Sequence, residues 1–304
     1  MKSQKFYSNG KLLLTGEYLV LDGALALAVP TKFGQSLTVE PFEKSILKWE
    51  SFDANKKLWF EAEVIIKNGI PCANTFNHPV RERLLQILKA AKDQNPTFLI
   101  DKGGLKVKTL LDFPRNWGLG TSSTLINNTA QWATIDPYKL LEDTFGGSGY
   151  DIACAMHNVP ITYQLEQGQR AVIERNFNPG FKKHLYFVFL NKKQNSRDGI
   201  AAYQKNKENT NQSLSEINAI TNDMLSCTNL ETFQFLMQSH ETIISKVLKQ
   251  TPIKERVFRD FNGSIKSLGA WGGDFVLAAS EDNPEDYFNE KGFDTVIPYG
   301  DMVL

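Results

Sequence analysis

Cysteine is scarce in this chain. Cys72, Cys154 and Cys227 are the only three, too few and too far apart for a disulfide framework or a thiolate metal site. Such usage suits a reducing compartment, and a cytoplasmic location is expected. Charge of one sign is not in excess. The 34 Lys+Arg balance the 34 Asp+Glu for a formal net charge of +0, which argues against a dedicated nucleic-acid binder. Long apolar runs are also missing. Leu12–Leu14 is too short for a secretory signal, and no stretch approaches a membrane span. Neither nucleic acid nor membrane is expected as a partner. No repeat or low-complexity tract stands out. What is present is an ordinary globular composition, in a chain long enough for two domains.

Periodicity sets the expected elements. Leu12–Leu14, Tyr18–Leu21, Ala24–Val29 and Ser36–Val39 read as strands, with a hairpin signal at Asp22-Gly23. Ile46–Trp49 and Leu58–Ile66 form another hairpin pattern, and Gly104–Leu111 alternates as a strand. Helices are expected over Pro79–Lys92 and the following residue, Ser122–Thr134, Pro137–Phe145 and Tyr150–His157. The second half predicts strands at Ile161–Leu165, Leu185–Leu190, Phe275–Ala279 and Thr295–Pro298. Its helices are expected over 198–208, 211–226, Leu230–Gln250 and Ile253–Leu268. Strands and helices in both halves argue for an α+β fold rather than a doubly wound parallel sheet. A domain boundary is expected near residues 166–180.

Four short segments carry chemistry. Trp117-Gly118-Leu119-Gly120-Thr121-Ser122-Ser123-Thr124 is a glycine-serine turn opening into a helix. Its glycines allow close backbone approach, and a helix N-terminus offers free N–H groups to an anion. It is neither a Walker loop nor a Rossmann fingerprint, and alone it fits an N-capped helix equally well. Gly10-Lys11 begins a buried strand that ends in Gly16-Glu17-Tyr18. The lysine there is either a solvated strand-end residue or a fixed cation for phosphate. Gly146-Gly147-Ser148-Gly149-Tyr150-Asp151 places an aspartate at a helix start, as a cap or as a proton acceptor. Gly269-Ala270-Trp271-Gly272-Gly273-Asp274-Phe275 is a glycine-rich link between elements.

In this order the four segments resemble the GHMP kinase superfamily, and most closely its mevalonate-pathway branch. The first motif of that family is usually Pro-Gly-Lys-x-x-x-x-Gly-Glu, the second Gly-Leu-Gly-Ser-Ser-Ala, and the third a glycine-rich loop. Ser148-Gly149-Tyr150-Asp151 is similar to the Ser-Gly-x-Asp of mevalonate-type kinases. Leu12–Tyr18 and Gly147–Ala153 look like phosphomevalonate kinases, and Gly149–Ala153 also resembles a bacterial subgroup named for Gly-Tyr-Asp-Ile-Ala. The resemblance covers residues 10 to 275. Asn9 stands where the family has proline, and Trp271 and Asp274 where it has glycine.

The resemblance implies a two-domain GHMP-kinase-like fold with mixed and antiparallel sheets, helices packed on one face, and a ferredoxin-like C-terminal domain. Residues 1–170 would be the ATP-binding and catalytic domain, and residues 171–304 the substrate domain. It implies ATP and Mg²⁺ as cofactors. Gly118, Leu119, Gly120, Thr121, Ser122 and Ser123 would wrap the phosphates. Ser123 and Glu142, with Asp143 as rival, would hold the metal. Asp151 would accept the acceptor's proton, and Lys11 would pair with Asp151 and stabilise the developing charge. Lys192, Lys193, Ser196 and Arg197 form a basic cluster after a buried strand. The last three are the candidate contacts to an anionic small-molecule substrate, against the reading of a solvated loop. His157 and His184 stand in no partner pattern and are read as structural. Phosphomevalonate is the first expected acceptor and mevalonate the second. A diphosphomevalonate decarboxylase and a catalytically silent ligand-binding relative are the alternatives. A monomer or homodimer is expected. A large indole and a negative charge are unwelcome near phosphate. The third loop is therefore expected to sit further from ATP than in relatives, or Asp274 to point at metal.

Overall fold

A computed structural model describes residues 2–67, 69–72, 78–100, 103–194, 196–208 and 210–304, without the side chains of Ser196, Arg197 and Asn206. In chain order its first strands are β1 (Gln4–Leu13), β2 (Ala26–Phe42), β3 (Leu47–Phe52), β4 (Leu58–Lys67) and β5 (Ile70–Cys72). Helix α1 (Pro79–Gln94), β6 (Gly104–Leu111), α2 (Thr121–Ala133), α3 (Pro137–Thr144) and α4 (Tyr150–Met156) follow. Next are β7 (Ile161–Glu166), β8 (Gln169–Glu174), β9 (Leu185–Phe189), α5 (Ser196–Asn206), α6 (Asn211–Ser226) and α7 (Leu230–Leu248). The chain closes with α8 (Ile253–Val257), β10 (Ser264–Ser267), β11 (Phe275–Ala279), α9 (Glu285–Glu290), β12 (Val296–Pro298) and α10 (Tyr299–Met302). No described helix is long and apolar enough to cross a membrane.

The chain divides into two compact units that interleave along the sequence. The first holds residues 1–10, 33–115 and 119–156; the second holds 11–32, 116–118 and 157–304. Strands β1 and β2 pair with each other and run through both. The expected boundary at 170/171 falls within β8, inside the second unit.

In the first unit the strand order is β5-β4-β3-β6-β2. Strand β6 is parallel to β3, with Trp49 opposite Val107, and antiparallel to β2, with Val39 opposite Val107. Alternation decides which face is buried. Leu105, Val107, Thr109 and Leu111 point inward, whereas Lys106 and Lys108 reach Glu50 and Glu40 at 3.1 Å each. Helices α1 and α2 cover the apolar face. Leu84, Leu85, Ile87 and Leu88 of α1 recur at helical spacing and share a core with Ile126 and Ala130 of α2.

In the second unit β9, β10, β11 and β12 form an antiparallel sheet of order β10-β11-β9-β12. Helices α5 to α8 separate β9 from β10, and α9 separates β11 from β12. This is the βαββαβ arrangement of a ferredoxin-like domain. Helix α7 begins where Asn229 Oδ1 accepts from Thr232 N at 2.9 Å. Its buried stripe runs through Phe233, Met237, His240 and Ile244.

Two expected elements are corrected. Tyr18–Leu21 is not a strand: Gly16 and Tyr18 have φ of 87° and 60°, and Leu19–Asp22 closes as a 3-10 turn ending on Gly23. The helix expected over Ile253–Leu268 stops at Val257. The apolar spacing of Ile253, Val257, Phe261 and Ile265 suits a helix, but Gly263 at φ 150° turns the chain into β10. There Ser264 pairs with Ala279. Strands β5 and β8 and helices α9 and α10 were outside the sequence expectation, being short, and the two strands expected over Ala24–Val29 and Ser36–Val39 are the single strand β2.

Ile126→Ala tests the seating of α2. Removing a fully buried side chain should cost roughly 2–5 kcal/mol, read as a lowered urea midpoint with an unchanged slope.

Candidate active site

The first unit carries the helix end of the glycine-serine turn. Gly120, at φ 94°, is the N-cap of α2, and its lack of a side chain leaves the first-turn N–H groups without a side-chain cap. The hydroxyls turn backward instead. Ser123 Oγ donates to Gly120 O at 2.9 Å, and Thr124 Oγ1 lies 2.9 Å from Gln35 Oε1 and 3.0 Å from Gly120 O. No acidic residue occupies the first turn. A 13-residue helix thus presents N–H groups and the positive end of its dipole with no acidic side chain in its own first turn. The N-capped alternative is therefore not what the chain forms.

A buried polar network, not evident from the sequence, seats this helix. Ser8 Oγ donates to Asn128 Oδ1 at 2.8 Å, and Asn127 Nδ2 donates to Ser8 Oγ at 2.9 Å and to Ala155 O at 3.3 Å. Asn128 Nδ2 donates to Gln35 O at 2.8 Å. Buried side-chain amides must find partners. Here they join α2 to β1, β2 and α4.

Asp151 stands in the first turn of α4, half-buried, with Oδ1 accepting from Ile152 N at 3.1 Å. Gly146, Gly147 and Gly149 before it have φ of 68°, 108° and 89°. Ile152 anchors α4 in the same core as Ile126 of α2. Ser123 is buried and Glu142 is exposed on α3. The rival Asp143 pairs with Lys139 at 2.6 Å. The described residues form no cluster of three or more His, Cys, Asp or Glu suited to a metal ion. Magnesium asks for less, taking one or two protein oxygens beside phosphate and water. The Ser123 hydroxyl, whose proton goes to Gly120 O, keeps lone pairs for that purpose.

The second unit brings the other motifs together. Lys11 Nζ donates to Gly118 O at 3.1 Å. Gly118, at φ 69°, lies against Asp274, so that a Cβ there would meet Asp274 Cγ at 2.5 Å. Trp117 packs edge-on to Phe275, ring centres 5.4 Å apart, which seats the start of the turn on β11. Motifs one, two and three therefore converge on Gly118. The third loop does not sit apart from the turn, and Asp274 faces Gly118. Trp271 is absent from this meeting point. It is buried with Tyr18, Leu19, Tyr203, Ile217 and Ile244, so the indole is core. Lys192 and Lys193 are exposed on the loop after β9. Ser196 and Arg197 begin α5, but their side chains lie outside the described residues. Tyr18 fixes that helix: its hydroxyl donates to Ala270 O at 2.9 Å, and Gly199 of α5 packs directly on its ring. His184 Nδ1 is 3.0 Å from Glu281 O at the surface. His157 is half-exposed.

Below the motifs lies a cluster of fully buried charge. Lys266 Nζ donates to Glu17 Oε1 and, at 3.0 Å, to Ser267 O. Gly16 N donates to His240 Nε2 at 3.1 Å, so that nitrogen is an acceptor and the ring is neutral. Burial, with Lys266 nearby, holds its pKa well below the ordinary value. His240 Nε2 also lies 3.1 Å from Glu17 Oε2, an ion pair only if the ring were charged. Burial pushes the Glu17 carboxyl upward against the pull of Lys266. Glu241, which accepts from Ser267 Oγ at 3.1 Å, is pushed up to about 8 by burial, Lys266 opposing and Glu17 adding to it. Among the described residues Glu17 Oε2, His240 Nδ1 and Glu241 Oε1 have no hydrogen-bond partner. The sequence carried a signal: His240 and Glu241 interrupt the buried stripe of α7, and Lys266 lies in a fully buried strand.

No family model matches the chain, and no curated protein does. Solved structures do. Mevalonate kinase of Methanococcus jannaschii aligns at TM-score 0.73 and 18% identity over 97% of each chain. Phosphomevalonate kinase of Streptococcus pneumoniae, in complex with phosphomevalonate and AMPPNP, aligns at TM-score 0.69 and 15% identity, over 96% of this chain and 95% of that one. Galactokinase of Lactococcus lactis, complexed with galactose, aligns at TM-score 0.67 and 12% identity, over 95% of this chain and 88% of that one. The fold is that of the GHMP kinases. Within that class the similarity extends to mevalonate-pathway and sugar kinases alike.

Lys266→Met should cost about 3–5 kcal/mol in chemical denaturation, because it strands a buried carboxylate. Adding Glu17→Gln should recover part of that loss. Glu241 sets a pH signature. Its carboxyl rises from 4.5 to about 8 on folding, so the folded state holds the proton more tightly. The resulting stability is complete below pH 4.5 and is lost as pH rises toward 8, by up to ~1.4 kcal/mol per pH unit. Glu241→Gln should flatten the stability profile over that window, seen in melts at a series of pH values.

Proposed function

We propose that the protein is an ATP-dependent small-molecule kinase, with phosphomevalonate as first candidate acceptor and mevalonate as second. The observation that carries this reading is the uncapped N-terminus of α2, entered through Gly118 and Gly120, with Lys11 held on the Gly118 carbonyl. Backbone N–H groups at such a helix end bind phosphate oxygens, and a fixed lysine adds charge where it develops.

Residues Gly118 to Ser123 hold the nucleotide phosphates in this scheme. Ser123 and Glu142 are the proposed protein ligands of Mg²⁺, which when bound would neutralise phosphate charge. The acceptor oxygen forms a bond to the terminal phosphorus as the bond from that phosphorus to the ADP oxygen breaks. Asp151 takes the proton released by the acceptor, and Lys11 stabilises charge on the transferred group. Such transfer asks little covalent chemistry of the protein; position and charge supply most of the rate. Lys193, Ser196 and Arg197 are the proposed contacts to an anionic group of the acceptor.

ADP release across mevalonate, phosphomevalonate, diphosphomevalonate, homoserine and galactose tests the reading. Turnover of phosphomevalonate or mevalonate is expected. Carbon dioxide release from diphosphomevalonate points to the decarboxylase, and ATP binding without turnover points to the silent relative. Asp151→Asn should lower kcat by about 10²–10⁴-fold while AMPPNP binding is largely retained. Near-normal turnover in that variant would remove Asp151 from the scheme.

A further inference from the structure

Three segments of the second unit meet at one carboxylate. Asp274 stands at φ 54°, where a side chain carries strain that Asp tolerates better than most residues. Its N–H donates to Lys192 O at 2.6 Å, and its carbonyl accepts from Leu190 N at 2.8 Å. Its Oδ1 accepts from Gln194 N at 3.1 Å. The loop it grips lies directly on Gly273, where a Cβ would meet Lys192 O at 2.8 Å and Gln194 Cβ at 2.9 Å. The same carboxylate lies against Gly118, whose carbonyl receives Lys11. Two cations act on its charge, Lys11 and Lys193. Burial raises its carboxyl pKa, and the Gln194 amide, Lys11 and Lys193 each oppose that rise. A glycine at 274 would hold the same backbone with less strain. Backbone geometry therefore gives no reason for a carboxylate here; its contacts do.

We propose that Asp274 is a positioning residue whose negative charge holds Lys11 at the Gly118 turn and whose grip on Lys192 O and Gln194 N fixes the loop that carries Lys193. One anion then sets both the cation that serves the transferred phosphate and the cation that serves the acceptor. The proposal rests on the kinase reading, since it assigns Lys11 and Lys193 their work.

Two full-length variants separate charge from shape. Asp274→Asn keeps an oxygen for Gln194 N and a residue type tolerated at positive φ, but removes the charge. Asp274→Gly removes the side chain and relaxes the backbone. Tm, AMPPNP binding by calorimetry, and kcat and KM with an acceptor that the wild type uses are measured on all three proteins. Both variants should melt close to the wild type and bind AMPPNP within about threefold. Both should lose kcat on the order of 10–100-fold, with a raised KM for the anionic acceptor. Wild-type kcat in Asp274→Asn would overturn the proposal, because shape alone would then suffice. Nucleotide binding tightened about tenfold would overturn it too, because the carboxylate would then be a competitor of phosphate. Loss of folding in both variants would make the role structural. A wild type that turns over no acceptor defeats the kinase reading and this proposal together, whereas equal activity in all three proteins defeats this proposal alone.

Discussion

The second unit depends on one buried ion pair. Glu17 and Lys266 are both fully shielded from water, where an unpaired charge would be costly. Each therefore requires the other, and each belongs to a segment that ends in the site. Glu17 lies six residues past Lys11 on the first motif, and Lys266 eight residues before Asp274 on the third. Fixing the roots of both segments lets their tips meet at Gly118. The ion pair, and His240 accepting from Gly16 N, tie the first motif to β10 and α7 by directional hydrogen bonds.

The first unit solves the same problem with neutral groups. Its glycine-serine helix is held by amides and hydroxyls from Ser8, Gln35, Asn127 and Asn128, every one buried. Both arrangements keep the glycine-serine turn from having to stabilise itself. The turn can then leave its N–H groups uncapped, at a local cost the surrounding structure offsets. That uncapped end is what the proposed anion binding rests on.

Much of the fold was legible in the sequence. Strand β6 and helices α1 to α4 fall within a residue or two of their expected ends, because alternation and helical periodicity are local and their breakers are Gly and Pro. Tyr18–Leu21 and Ile253–Leu268 were misread for a common reason. Their apolar spacing fits a regular element, but backbone turns at Gly16, Tyr18 and Gly263 override it. The motifs themselves were legible as glycine and hydroxyl patterns. Their partners were not, since Ser8, Gln35, His240 and Lys266 carry no motif and lie far along the chain from what they touch.

The sequence by itself determined the class of fold, the four motif segments and their order, because each rests on residues close together in the chain. Only the tertiary structure decided what Trp271 and Asp274 do in place of glycines. The indole turns into the core and the carboxylate onto Gly118, and no local rule distinguishes those directions. It also decided that the buried charges are paired. Pairing depends on contacts between residues as far apart as 17 and 266, which only the folded chain brings within reach.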